Sequence, residues 1–406
     1  MDWGFRKGAS VLKGALSWPF LRLYGLTLLY FSANAILNVV IPLKGESLGA
    51  TNTTIGIVMG AYLFTTMLFR PWAGLMIQTY GPIPILRTIL AVNGLALLLY
   101  TFTGLGGFFV ARVLQGVCTA FFSMALQLGI IDALPDKDRS QGISMYSLCA
   151  SMPGIFGPLL AIAIWQAGDW PLFTAAMVAI ALLTGGVGYT VQMDRQDTEP
   201  AAGRTKQATA IRKSFGQLVK NSHLLKCSVL MLGASLVFGA VTTFIPLYAG
   251  HIRGGNAAVF LMLQASTVVA ARFVFRKKIP SDGKWHSAFI MTVMLILTAA
   301  AQAVSFSAAG GAAFFYIGAV LIGMAQALLY PALTTYLTFV LPQADRNVLI
   351  GLFIAMADLG VSLGGIVMGP IADLSSYSDM YSICALLGVG MIFWGYERRR
   401  RAAGSG

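Results

Sequence analysis

Long apolar runs recur along this chain, broken by short polar stretches. A helix needs roughly 20 mostly apolar residues to cross a bilayer. Twelve runs reach that length, near 18–43, 53–78, 83–103, 107–133, 143–166, 170–192, 224–249, 255–275, 285–307, 311–341, 348–372 and 378–396. The run at 311–341 exceeds the need, so it has to tilt or extend past the lipid. One long polar stretch, 193–222, divides the runs six and six. The pattern predicts an all-α membrane protein of twelve transmembrane helices. Residues 1–192 would form one six-helix bundle, 193–222 a linker, and 223–397 a second bundle. Residues 398–406 read as a basic tail with an appended remnant.

The two halves repeat. Ile41-Pro42-Leu43 at the end of the first run matches Ile245-Pro246-Leu247 at the end of the seventh, at an offset of 204. After the fourth run comes "LPDKDR", and after the tenth comes "LPQADR", at an offset of 207. At that offset Gly157-Pro158 falls on Gly364-Gly365. Three matches in order, at nearly one offset, indicate duplication of a six-helix unit, a pattern common in transporters.

Composition agrees. Hydrophobic residues make up 57% and charged residues only 11% of 406, with a mean hydropathy of +0.75. Soluble domains carry about twice that charge. The net charge of +13 orients the bundle rather than pointing to nucleic acid. With both termini in the cytoplasm, 25 of the 28 Lys and Arg fall on the cytoplasmic side, Arg70 and Arg272 among them. That is the bias expected of loops at the inner face of a cell membrane. Lys44 and Arg253 fall outside, and Arg112 falls in the membrane. No cleavable signal peptide is expected, because the basic first sixteen residues lead into a run long enough to span.

Several chemistries are excluded. The cysteines (Cys118, Cys149, Cys227 and Cys384) and the three histidines show no metal or disulfide spacing, so no metal site and no cofactor is expected. The phosphate-cradling pattern G-x-x-x-x-G-K-[ST] is absent, and no nucleophile–base constellation suggests an enzyme.

Twelve spans, a 6+6 repeat and a basic central loop resemble the major facilitator superfamily. Its motif between the second and third helices is half kept: Gly74 and Gly81 are in place, but Gln78 stands at the Asp position. Pro82 and Ile83 replace the basic pair. The fourth-helix pattern Arg-x-x-Gln-Gly is matched by Arg112, Gln115 and Gly116. In the fifth, Met152 to Pro158 resembles the Gly/Pro-rich end of the antiporter branch. Stretches over residues 14–160, such as "FRPWAG" and "ARVLQGVCTAFFSMALQLGIIDALPDKDRSQGISMYSL", are similar to the group that exports staphylopine, an opine-type, nicotianamine-like metallophore. The resemblance implies a secondary active exporter that exchanges substrate for protons by rocking its halves. The substrate would be an anionic or zwitterionic small molecule, and the carrier a monomer. A broad multidrug/proton antiporter is the alternative within transport, although the first span has no acid before Glu46. A membrane receptor or assembly protein is the alternative outside it.

Polar residues inside the spans are the candidate site. A charge at mid-membrane costs at least roughly 2.5–3.5 kcal/mol on insertion scales, so it must face a cavity or a partner. Arg112, Gln115, Thr119, Ser123 and Gln127 keep to one helical face. Arg112 offers a fork for a substrate carboxylate, or else it snorkels or bonds carbonyls of a neighbouring helix. Asp358 lies about ten residues into the eleventh span. Unpaired at that depth it would carry a proton, which suggests proton coupling; the alternative is a structural hydrogen bond. Tyr30, Asn34 and Asn38 in the first span, and Gln326, Tyr330 and Thr334 in the tenth, are spaced four apart. Thr242 and Thr243 precede the proline of the seventh. Each is a candidate for substrate contact or for interhelical bonding. Asp138-Arg139 and Asp345-Arg346 occupy equivalent cytoplasmic turns and are expected to gate the inner ends.

Overall fold

A computed structural model describes residues 14–168, 170–191, 221–280, 282–343 and 346–396. Residues 193–220 of the linker, Asp345 and the basic tail lie outside the described residues. Thirteen α-helices make twelve spans among them. They are α1 (Trp18–Ser47), α2 (Asn52–Tyr80), α3 (Pro82–Phe102), α4 (Leu105–Ala133), α5 (Asp136–Ser151), α6 (Pro153–Gln166) and α7 (Trp170–Thr190). After the central stretch come α8 (Ser222–Tyr248), α9 (Ala257–Val274), α10 (Ser287–Gly310), α11 (Ala312–Val340), α12 (Arg346–Leu374) and α13 (Tyr377–Gly395).

The fifth span departs from the single helix expected. It is α5 and α6 in succession, parted at Met152, because Pro153 has no N–H to continue the ladder. Turn chemistry sets other boundaries. Thr51 caps α2 through the N–H of Thr54, Asn221 caps α8, Asn256 caps α9 and Ser376 caps α13. Gly81 at φ +86° and Gly311 at φ +79° join consecutive helices with almost no loop. The long tenth run is one helix of 29 residues, Ala312–Val340.

All ends on one side of the bundle belong to one face. Asn52, Tyr248, Gly310 and Tyr377 mark the first face; Tyr80, Trp285, Arg346 and Tyr396 mark the second. Helices α1 to α7 pack among themselves, as do α8 to α13. Four contacts join the groups: α2 with α12, α6 with α9, α1 with α8 and, more thinly, α2 with α8. The first two answer to each other under the sequence repeat.

The α2–α12 seam is built of glycine. A Cβ at Gly56 would overlap the carbonyl oxygen of Gly365, and one at Gly369 would meet the Asn52 carbonyl at 2.6 Å. Such close approach is the usual way helices adhere in lipid, where burying apolar surface gives no driving force. Toward the first face the seam ends in a cross-group cap. The Asp373 carboxylate accepts from the backbone N–H of Asn52 and of Thr53, both at 2.8 Å, and from the Thr53 hydroxyl at 2.6 Å. Tyr377 donates to Asn52 Oδ1 at 2.6 Å. Further in, Ser362 donates to the Gly60 carbonyl at 2.8 Å. These bonds hold the two groups together from the first face to mid-depth.

Two glycine substitutions separate the seam from the interior of a group. Gly239→Val pushes against Val361 within one group and is expected to give low yield and early aggregation. Gly56→Val pushes across the seam and is expected to give a folded chain with the first face pried open. A cysteine at buried Thr243, which neighbours Gly365, then reports the opening. It should resist a maleimide in the parent and label in Gly56→Val; protection in both would show that the seam does not open there.

Candidate functional site

Helix α4 carries the polar stripe inward. Arg112 is fully buried at 0% exposure, and Gln115, Thr119 and Ser123 are buried with it. The guanidinium does not snorkel. Nη1 donates to Asn34 Oδ1 and Nη2 to Asn38 Oδ1, both at 2.8 Å, and Nη2 also meets Met59 Sδ at 3.4 Å. The four-residue spacing on α1 puts both amides on one helical face, where they receive both arms of the fork. The Tyr62 ring lies 5.2 Å from the guanidinium carbon, within cation–π range. Nε is buried and has no partner. Among the described residues no carboxylate lies within ion-pair distance of Arg112. A permanent charge therefore sits in the bundle on neutral partners. Asn34 and Asn38, only half-buried, stand between it and accessible space.

Below Arg112 the stripe is tied into its own group. Gln115 accepts from the Tyr100 hydroxyl at 2.7 Å. Thr119 is bonded to both Tyr30, at 2.9 Å, and Tyr62, at 3.0 Å. Tyr30 is further fixed by stacking on Phe122, with centroids 3.8 Å apart. One turn and two turns on, Ser123 and Gln127 lie beside Tyr146 of α5.

Asp358 is not the lone acid expected. Arg70 Nε donates to Asp358 Oδ2 at 2.6 Å, joining α2 to α12 across the two groups. The correction concerns Arg70 as much as Asp358. It is not a residue of the cytoplasmic flank but lies ten residues before the end of α2, deep in the span. The sequence held the signal, an arginine within the run 53–78, but charge counting absorbed it into the orientation. The pair is reachable by solvent, with side-chain exposures of 24% for Arg70 and 13% for Asp358. Tyr62 and Tyr146 are electrostatic neighbours of Arg70, and Tyr330 of both members. Sequence reasoning missed Tyr62, Tyr146 and Asp373 as well. These residues bear no mark of their own until helices bring them to the seam.

The remaining candidates fall in several places. Gln326 is bonded to Gln264 at 3.2 Å, linking α11 to α9. Tyr330 stacks on Phe353 at 6.1 Å and receives Thr334 on its carbonyl at 2.7 Å. Thr243 is buried beside Gly365. Asp138 lies against Gly14 in its own group, and Arg139 Nε donates to the Leu134 carbonyl at 3.1 Å. Arg346 Nε is buried with no partner among the described residues, and Asp345 lies outside them. The four cysteines are free, and no cluster of metal-ligating side chains occurs among the described residues.

Comparison with known proteins places this arrangement in a context. Residues 23–280 match the family model of the Major Facilitator Superfamily. The chain is 54% identical over 388 residues to the staphylopine export protein of Staphylococcus aureus, covering 96% of this chain and 98% of that protein. It is 24% identical over 378 residues to an uncharacterized MFS-type transporter of Burkholderia mallei, covering 89% and 88%. Among solved structures the nucleoside transporter NupG superposes with a TM-score of 0.76 at 13% identity, over 92% of this chain and 98% of that one. The human organic anion transporter MFSD10 superposes at 0.67 and 14% identity, over 93% and 98%. At such identities the superpositions speak for the fold alone.

The two arginines should respond oppositely to neutralisation. Removing one member of an ion pair strands the other charge, at about 3–5 kcal/mol when fully buried and less where water reaches, as here. Arg70→Met is therefore expected to lower the melting temperature in detergent, and Asp358→Leu added to it should restore most of the loss. Arg112→Met strands no counter-charge and leaves two half-exposed amides for water, so its melting temperature should stay near the parent's. A large drop for Arg112→Met would mean that the neutral partners need the cation for folding.

Proposed function

The chain belongs to the major facilitator superfamily, a family of transporters rather than enzymes, and from that premise we propose that it exports a staphylopine-like, opine-type metallophore across the bacterial cell membrane in exchange for protons. The carrying observation is the 54% identity to a staphylopine exporter over nearly the whole of both chains. Such a cargo bears several carboxylates and amines. A guanidinium fork suits carboxylate better than any other side chain does. Arg112, presented by Asn34 and Asn38, is the first residue we assign to it. Tyr30, Gln115 and Thr119 hold α4 in register behind it, and Gln326 and Tyr330 are the residues we assign to the cargo in the other group.

The two six-span groups are the moving bodies, and both termini are cytoplasmic. The first face is then the outside, closed by the glycine seam and the Asp373 cap. In this reading the Arg70–Asp358 bridge makes exchange obligatory. Intact, it ties α2 to α12 and holds the groups in place. A proton on Asp358 cancels one charge and breaks the bridge; a substrate carboxylate drawn to Arg70 breaks it from the other side. A carrier that moves only when one or the other is bound carries substrate out on one stroke and a proton in on the next. The turns at Asp138-Arg139 and Asp345-Arg346 would gate the cytoplasmic mouth.

Proteoliposomes loaded with labelled staphylopine test the coupling. The parent should export against a gradient when the outside is acidified. Asp358→Asn cannot alternate between charged and neutral forms, so it should still bind and exchange staphylopine down its gradient but no longer respond to the pH difference. A variant that pumps with unchanged pH dependence would remove Asp358 from coupling, and a parent that moves no staphylopine would overturn the substrate assignment.

Orientation has its own measurement. Single cysteines at Gly310 and at Lys278 lie at opposite faces. In intact cells an impermeant maleimide should label position 310 and spare 278; the reverse pattern would invert the topology.

A further inference from the structure

Arg272 takes no part in the reading so far, yet its surroundings single it out. It lies on α9, whose seam with α6 is one of the four contacts between the groups. Ala265 marks that seam, since a Cβ at Gly154 of α6 would lie 3.4 Å from the Ala265 Cβ. Arg272 follows Ala265 by seven residues, about two turns, and so shares its face. It lies within its helix, in the last turn of α9. Counted from the first face, Arg272 lies roughly 22 Å along α9 and Arg70 roughly 27 Å along α2, at 1.5 Å per residue. α9 ends soon after only because it is short.

Its partners are incomplete. Arg272 Nε is buried and unbonded, and no ion pair of Arg272 occurs among the described residues. Tyr330 is an electrostatic neighbour of Arg272 on one side and of Arg70 and Asp358 on the other. The sequence repeat supplies the reason. α9 answers to α2, and Arg272 lies two residues before Val274, the position matching Arg70 at the offset of 204. At the offset of 207 the position matching Asp358 is Ser151. Both α2 and α9 therefore carry an arginine toward the second face, while only the α2 side is met by a carboxylate among the described residues.

Three guanidiniums, of Arg70, Arg112 and Arg272, thus lie within spans at different depths, and among the described residues Asp358 forms the one ion pair with any of them. Two positive charges lack a counter-charge in a medium that strongly penalises them. They lie in different groups, Arg112 on α4 and Arg272 on α9. We propose that Arg272 is a second carboxylate-binding subsite, on the face of α9 that meets α6 but two turns nearer the second face, and that the cargo spans the two groups with separated carboxylates on Arg112 and Arg272. This deepens the functional assignment above and rests on it. A cargo with one carboxylate leaves one arginine unmatched, so the site selects for polycarboxylates. Bridging also explains how cargo binding acts on both moving bodies.

The test is a double-perturbation cycle on the full chain in detergent, read by calorimetric titration. The probes are staphylopine and its derivatives in which one carboxylate at a time is a carboxamide. For the parent, each amide that removes an arginine contact should weaken binding about tenfold to a hundredfold, the range of one charge-assisted hydrogen bond. Arg272→Gln should weaken the parent compound by a similar factor, and one particular amide should then bind it as well as staphylopine itself does. Arg272→Lys should recover part of the affinity, because charge returns without the planar fork. Arg276→Gln, in the exposed turn just beyond, should leave every titration unchanged. A misfolded or generally weakened site lowers all probes by one factor and keeps the differences between them. If Arg272→Gln retains the full penalty for every amide, the Arg272 subsite is wrong while the export reading stands. If the parent chain binds no staphylopine, the export reading falls and this proposal falls with it.

Discussion

A charge removed from water must find something to answer it, and that requirement organises the interior of this bundle. The helices satisfy their own backbone groups, as any spanning segment must. What remains are a few side chains that lipid will not tolerate. Arg70 and Asp358 answer each other at 2.6 Å. Each is fixed by its own group, Arg70 through α2 on α4 and Asp358 through α12 on α8. The bond therefore exists only in arrangements that bring α2 and α12 together, which makes it sensitive to the relative position of the two groups.

Helix α12 is shaped for that position. Gly360 and Gly364 turn one face to α8, and Gly365 and Gly369 turn another to α2. The same helix is thus cemented to its own group and closely apposed to the other. Its last turn adds an uncommon device, in which Asp373 supplies the cap that α2 needs. The first N–H groups of a helix have no partner within it and carry partial positive charge. A carboxylate from the other group meets two of them at 2.8 Å. Thr51, the local cap, meets the next at 3.2 Å. One helix start is satisfied partly by its neighbour in sequence and partly across the seam, so parting the seam exposes orphan donors that water must then satisfy.

Against this background Arg112 differs in kind. Its bonds to Asn34, Asn38 and Met59 hold the guanidinium in place without neutralising it. A guanidinium has donors only, so amide oxygens are fitting supports. They leave the charge itself available to an anion. Arg70 is neutralised by the protein, while Arg112 and Arg272 have no ion-pair partner among the described residues. That division separates a bond that holds the groups from charges that no side chain neutralises among the described residues.

How much of this could be read beforehand follows from range. Apolar length, charge bias and motif spacing are local, so twelve spans, the 6+6 repeat and the family resemblance stood in the sequence. So did the Arg112 stripe, and even the four-residue spacing that lets Asn34 and Asn38 share one arginine. The break at Met152-Pro153 was visible as a proline, though not as the parting of a span into α5 and α6. Asp358 was visible as an outlier, but its partner was not. Arg70 stands 288 positions away, and nothing local distinguishes an arginine that flanks a membrane from one that reaches into it. Charge counting treated Arg70 and Arg272 alike, as loop cations. Only the helix bounds and the packing of α2 on α12 showed both within spans, one with a carboxylate and one with no ion pair among the described residues. The chain by itself determined which segments enter the lipid, because that depends on composition alone. Which buried charges meet was decided by the tertiary structure, because an ion pair depends on separations of a few ångströms between helices that the sequence does not order.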